Sequence, residues 1–434
     1  MMTCTASWRT PQPACSPEYG TVVELCALTS ARCAWLLLIL VVLLCPPDVR
    51  AESAPPTLGQ AVQAAFERYP EAGLAQVINQ QGAAIRQQAS ALLAGDPALV
   101  LRHESDAVTD DNGFRQWEGG LEMPLWLPGQ RQRRSRVADA TQDEGAATLR
   151  LQRWEVAGEL RELLWSLHIA AAELELATRA LQATGALERD VERRVAAGEL
   201  ARMDLILAQK ETLAREIERS AAASQHSALL MQYRAVTGLS AVPAELSETA
   251  AAADDIVAEH PALVAARFAA ERNRAERDQV RGEKRASPVL TLGGKSERPE
   301  SGLSYDNAVI LEVNVPLGTA GQAAPRTAAA ERSLAEASAA LARARRDLEQ
   351  DLNLARTARQ QAQQALQLAQ RQQQLAAEGL RLAQRAFELG EHSLFMVLEA
   401  RRQALASERM LRVNELELGR AVARYNQALG VIPE

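Results

Sequence analysis

Aromatic side chains are scarce in this sequence, at 4% of 434 residues, and several globular cores of ordinary make-up could not be filled from so few. Cysteine is absent beyond position 45, since Cys4, Cys15, Cys26, Cys33 and Cys45 are all there are. The rest of the chain therefore has neither a disulfide framework nor a thiolate metal site. There is no excess of positive charge: the net charge is −7, which removes the electrostatic case for nucleic-acid binding. Catalytic signatures are missing as well. No Gly-x-Ser-x-Gly, no phosphate-binding glycine loop and no His-Glu-x-x-His occurs, and His103, His168, His226, His260 and His392 show no metal-binding spacing. The neighbouring carboxylates Asp254 and Asp255 read as a solvated helix start. These absences predict no enzyme, no cofactor and no bound metal.

Alanine, leucine, glutamine, glutamate and arginine dominate what is present, the composition of long packed helices. Residues 34–44 form an uncharged apolar run shorter than the roughly 20 residues that span a bilayer. With Arg32 before it and Val49-Arg50-Ala51 after Pro46-Pro47, it reads as a secretory signal peptide over 1–51 with a long leading region, cleaved after Ala51, the alternative being a lipoprotein signal at Cys45, where Leu44 is bulkier than the usual preceding residue. Residues 1–50 carry three arginines against Glu18, Glu24 and Asp48, so the exported chain keeps the full net charge.

Its second half repeats the first at an offset of 192 residues. Pro124-Leu125-Trp126-Leu127-Pro128-Gly129-Gln130 returns as Pro316-Leu317-Gly318-Thr319-Ala320-Gly321-Gln322, and Gly198-Glu199 as Gly390-Glu391. Arg193 and Arg385, Ala208 and Ala400, Tyr233 and Tyr425, and Gly238 and Gly430 keep the same shift. The spacing predicts two structural repeats, 52–243 and 244–434.

Each repeat begins with a helix, 57–93 (with Pro70 breaking or kinking it) or 254–286. Two strands follow, 97–105 and 115–125 in the first repeat and 288–296 and 305–317 in the second. Trp117, Gly119, Leu121, Met123 and Leu125 alternate with Gln116, Glu118, Gly120 and Glu122, and Val309, Leu311, Val313, Val315 and Leu317 alternate with polar residues such as Glu312 and Asn314. A long helix comes next, 131–197 or 322–389, and after a glycine turn a shorter one returns, 203–237 or 395–429. Leu149, Val156, Leu160, Leu163, Leu167, Leu174 and Leu181 form a narrow apolar seam suited to coiled-coil packing.

Strands of this length, apolar on one face and polar on the other, suit a membrane β-barrel. Four per chain fall short of the eight or so that close one, and open edges are not tolerated in hydrocarbon. A shared barrel continued by a helical tube is a conduit. The competing expectation from helices and leader alone is a periplasmic coiled-coil adaptor or scaffold without a pore, which leaves the two hairpins with alternating faces unexplained.

The junction pattern Pro-Leu-x-x-x-Gly-Gln resembles that of the TolC-like outer-membrane efflux proteins, as do the turns Ala197-Gly198-Glu199 through Asp204-Leu205 and Leu389-Gly390-Glu391 through Ala400. The likeness covers about 57–431, and Trp126 through Arg131 is similar to the CzcC-like members. It implies a mainly α fold with a membrane β-barrel: a homotrimer whose 12-stranded barrel, set in outer-membrane lipid, continues into a periplasmic α-helical barrel. The function implied is the passive outer-membrane channel of a tripartite efflux system, with a periplasmic adaptor and an inner-membrane pump of the RND type as partners. By the same resemblance Gly198, Glu199, Leu200, Ala201, Gly390, Glu391, His392 and Ser393 form the adaptor-docking tip. Asp204, His392, Met396 and Glu399 occupy the gate positions, where Asp204 either faces His392 as its counter-charge or stands with it as an independent residue of a polar turn. Pro124, Gly129, Pro316 and Gly321 mark the strand-to-helix junctions, and both glycines are expected in backbone conformations that β-branched residues resist.

Overall fold

A computed structural model of the chain describes residues 55–433; the expected leader lies outside the described residues. The chain opens with α1 (Leu58–Glu67) and α2 (Ala72–Ser90) where one helix with a break at Pro70 is expected. Thr57 and Gln60 cap α1 reciprocally, with the Thr57 hydroxyl accepting the Gln60 N–H (3.2 Å) and the Gln60 side chain accepting the Thr57 N–H (2.9 Å). Then come β1 (Ala98–Ser105), β2 (Arg115–Pro124), α3 (Gln130–Ala196) and α4 (Arg202–Thr237). The second repeat supplies α5 (Pro261–Gly282), β3 (Val289–Arg298), β4 (Asp306–Asn314), α6 (Ala320–Glu388) and α7 (Leu394–Ala428).

Residues 254–260 do not belong to α5. The His260 ring accepts the Ala262 N–H (3.2 Å) and Pro261 takes the first helical position, where a missing donor costs nothing. Asp254 and Asp255 therefore lie in the preceding loop and are not a helix start. Likewise β4 stops at Asn314 rather than 317, since Pro316 offers no donor to a further rung.

With 67 residues in α3 and 69 in α6, each rod is roughly 100 Å long at 1.5 Å per residue. Contacts order the rods side by side as α4, α3, α7, α6. The apolar seam of α3 is spent inside the protomer. Val156, Leu160, Leu163 and Leu167 are buried with Ala61, Val62 and Phe66 of α1, Tyr233 of α4 and Ala423 of α7. A second cluster joins Leu352 and Ala355 of α6 to Tyr425 and Leu429. Among the described residues no helix is long and apolar enough to cross a membrane.

The four strands form one antiparallel sheet in the order β1-β2-β3-β4. Every connection to a helix leaves from one end, near Ala98, Pro124, Val289 and Asn314, and both hairpin loops lie at the other. β1 and β4 are left as open edges.

Candidate conduit wall and hairpin tips

The strand register sorts side chains by chemistry. Leu99, Leu101 and His103 stand opposite Leu121, Gly119 and Trp117. These meet Leu292, Gly294 and Ser296, and then Leu311, Val309 and Asn307, on the same face. This face is uncovered: Leu99 is 73% exposed and Val309 82%. The opposite face carries Arg102 and Glu104, Gln116, Glu118 and Glu122, Lys295 and Glu297, and Asp306 and Glu312. Apolar area of this extent is costly in water, and so many charges are costly in hydrocarbon. The sheet thus has one uncovered apolar face and one charged face.

At the first junction Leu127-Pro128-Gly129-Gln130 is a type II turn. The Gln130 N–H reaches the Leu127 carbonyl (3.0 Å) and Gly129 has φ +73°, the value that favours glycine at the third position, with proline suited to the second. The Gln130 side chain, buried, accepts the Leu127 N–H (3.0 Å) and so ties the turn a second time. Gln130 went unnoticed as a site residue, although the glutamine of the repeated motif was the signal for it. At the second junction Gly321 departs from the expectation: it is the second residue of α6, outside the left-handed region. Here Ala320 stands where Pro128 stands in the first repeat, so nothing interrupts the helix, which starts directly after Thr319.

Both hairpin tips close with the same hydrogen-bonded motif. Gly198 (φ +78°) donates to the Val195 carbonyl and Glu199 to that of Arg194. Gly390 (φ +77°) donates to Phe387 and Glu391 to Ala386. A glycine in the left-handed conformation satisfies the last carbonyls of the helix and reverses the chain. The two tips are fastened to each other by a buried cluster of Val191, Ala208, Leu394 and Leu398. Arg194 adds a link, pairing with Glu199 at 3.2 Å and lying 5.0 Å over the Phe387 ring. Leu200 is half-buried against this cluster, whereas Ala201, His392 and Ser393 are exposed.

At the expected gate positions each polar side chain is held by its own turn or helix. Asp204 accepts the Ala201 N–H (3.1 Å) and so caps the start of α4. The His392 ring contacts its neighbour's carbonyl, that of Glu391 (3.1 Å). No ion pair or hydrogen bond joins Asp204 to His392 among the described residues of one protomer, because each is engaged by its own turn. Glu399 pairs with Arg402 and accepts from Gln403 (3.1 Å), one helical turn away. Met396 is 46% exposed. Sequence reading missed Met203 and Phe395, which occupy equivalent positions at the two tips and are 63% and 55% exposed; the offset of 192 was the available signal.

The outermost rods also have uncovered apolar seams. Along α6, Leu354, Leu368, Leu375 and Leu382, and Leu389 that caps it, are all at least 55% exposed, the last four at heptad spacing. On α4, Met203, Ile206, Leu213, Ile217 and Met231 are at least 50% exposed.

Residues 252–431 match the family model of the outer membrane efflux protein. The match spans nearly all of the second repeat. The whole described chain has the same fold as solved channels of this kind. The outer membrane protein VceC from Vibrio cholerae superimposes with a TM-score of 0.69 at 16% identity, covering 86% of this chain and 96% of that one. The CmeC outer membrane channel of Campylobacter jejuni gives 0.68 at 15% identity, covering 86% and 85%. The open state of the Neisseria gonorrhoeae MtrE channel gives 0.67 at 18%, covering 87% and 89%. No curated protein matches the chain. The likeness read from the junctions and turns agrees with the family match of residues 252–431 and with the fold shared with these channels.

Proposed function

We propose that three copies of this efflux protein assemble into one channel through the outer membrane and that the channel is the exit duct of a tripartite export system. The observation that carries the reading is a four-stranded sheet with one lipid-compatible face, one charged face and two free edges. In an up-and-down order β4 runs antiparallel to β1, so β4 of one copy pairs with β1 of the next, and three sheets close a 12-stranded barrel without edges. The exposed seam of α6 meets that of α4 in the neighbouring copy and closes the helical tube beneath.

The lumenal face carries Glu104, Glu118, Glu122, Glu297, Asp306 and Glu312 against Arg102 and Lys295, which favours cations in the pore. The tips at Gly198–Ala201 and Gly390–Ser393 face the opposite side of the periplasm, where the hairpin of a periplasmic adaptor docks, with Met203 and Phe395 as its apolar contacts. An RND-type inner-membrane pump completes the assembly. Asp204, His392, Met396 and Glu399 line the narrow end, and Glu399 forms its acidic ring.

Membrane fractionation and planar-bilayer recording test this reading. The protein should stay in the outer-membrane pellet through a high-salt wash, and the purified oligomer should conduct with cation preference, weakened in Glu399→Gln. A protein released by salt that conducts nothing would be the pore-free scaffold instead.

A further inference from the structure

Charge is distributed unevenly between the two ends of the sheet. At the helix end, α3 begins with Arg131, Arg133, Arg134 and Arg136, with no carboxylate from Pro124 to Ala138. Lys284 and Arg285 precede β3 at the same end. Among the described residues none of these six cations is within ion-pairing distance of a carboxylate, although arginines elsewhere in the rods are extensively paired. The loop end is the reverse, with Asp106, Asp110, Asp111 and Glu300.

Apolar and aromatic groups lie next to the cations. The Trp126 indole donates to the Ala91 carbonyl (3.0 Å), and Arg134 lies 5.3 Å over its ring. Arg131 donates to the Ala89 carbonyl (2.7 Å), two residues before the Trp126 partner. Leu92, beside them, is 88% exposed, and Leu317 beyond β4 is 85% exposed. An indole fixed by a backbone carbonyl beneath a guanidinium, uncovered leucines and cations without a carboxylate partner, all where the apolar sheet face stops, together have the make-up of a membrane-interface anchor.

We propose that this collar binds the headgroups of anionic phospholipids in the periplasmic leaflet, with phosphatidylglycerol as the representative ligand. The inference rests on the barrel reading above, which puts the helix end of the sheet at that leaflet. The phosphate meets cations that have no carboxylate of their own, and the acyl chains continue along the apolar face of the sheet.

Tryptophan fluorescence in reconstituted bilayers tests it. The oligomer is placed in phosphatidylcholine bilayers containing about one fifth of a brominated lipid, either phosphatidylglycerol or phosphatidylcholine. Brominated phosphatidylglycerol should quench about twofold more than the same fraction of brominated phosphatidylcholine. The excess should fall at high salt and shrink in Lys284→Gln/Arg285→Gln, whose side chains are exposed and unpaired, as well as in Arg131→Gln/Arg134→Gln. Equal quenching by both lipids, or an excess that survives all four substitutions, would overturn the anionic-lipid site while leaving the barrel in place. Quenching by neither would overturn the barrel reading and the collar with it.

Discussion

Two glycines at equivalent positions of a repeat differ in what they tolerate, because backbone conformation, not sequence position, decides the cost of a side chain. Gly129 has φ +73°, and Gly321 lies in a helix with open space where a Cβ would go. Gly129→Val should therefore cost about 1–3 kcal/mol and reduce the assembled oligomer in the membrane. Gly321→Val should leave the yield near wild type, as read by extraction and native gel. His260 offers a second test at this scale. It is fully buried, its Nε2 has no partner, and burial lowers its pKa to about 4 from 6.5. The unfolded chain takes up this proton as pH falls below about 6.5, and the folded chain resists until about 4, so stability is intact above that window and is lost through it on acidification. Over the whole window the loss amounts to about 3 kcal/mol. His260→Asn keeps an acceptor to cap α5, and its melting temperature should fall less between pH 7 and 5 than that of the wild type.

Between elements, one buried arginine adds to the contacts that tie the two repeats together. Arg161 of α3, 3% exposed, makes paired bonds to Glu248 (2.8 and 2.7 Å) and a third to the Val431 carbonyl (2.9 Å). Asn426 of α7 donates to the same carboxylate (3.0 Å). The loop between the repeats, the first long helix and the last helix thus share one charge network. Removing one partner leaves a charge buried without compensation, at about 3–5 kcal/mol. Arg161→Met should lower the thermal midpoint strongly, and the double variant with Glu248→Gln should recover part of the loss; additive losses in this cycle would mean that the two residues act separately.

For the whole molecule, closure requires two kinds of seam to be covered together, the sheet edges and the leucine stripe of α6. Each leucine buried between copies contributes about 1.5–3 kcal/mol. Leu375→Glu with Leu382→Glu should therefore convert the detergent-extracted oligomer to smaller species with helical content unchanged, as followed by light scattering and circular dichroism. An oligomer of unaltered mass would place those leucines outside the interface between copies.

The long rods, the glycine-closed tips and the two-faced strands were legible from the sequence, because each depends on local order: the period of apolar residues, proline at a strand end, glycine after a helix. Duplication made them easier to read, with Gly198 and Gly390 adopting nearly the same φ. The same symmetry misled at the second junction, where alanine in place of Pro128 lets the helix begin before Gly321. The start of α5 was misplaced for a related reason: helix-compatible residues at 254–259 gave no sign that His260 and Pro261 cap the helix seven residues later. What no periodicity could supply is who meets whom across long separations. Arg161 finds Glu248, Asp204 caps its own helix instead of meeting His392, and the seam of α3 is consumed within the protomer while those of α4 and α6 are left open. Those outcomes depend on side chains brought together by packing from positions far apart in the chain, and only the tertiary structure decides them.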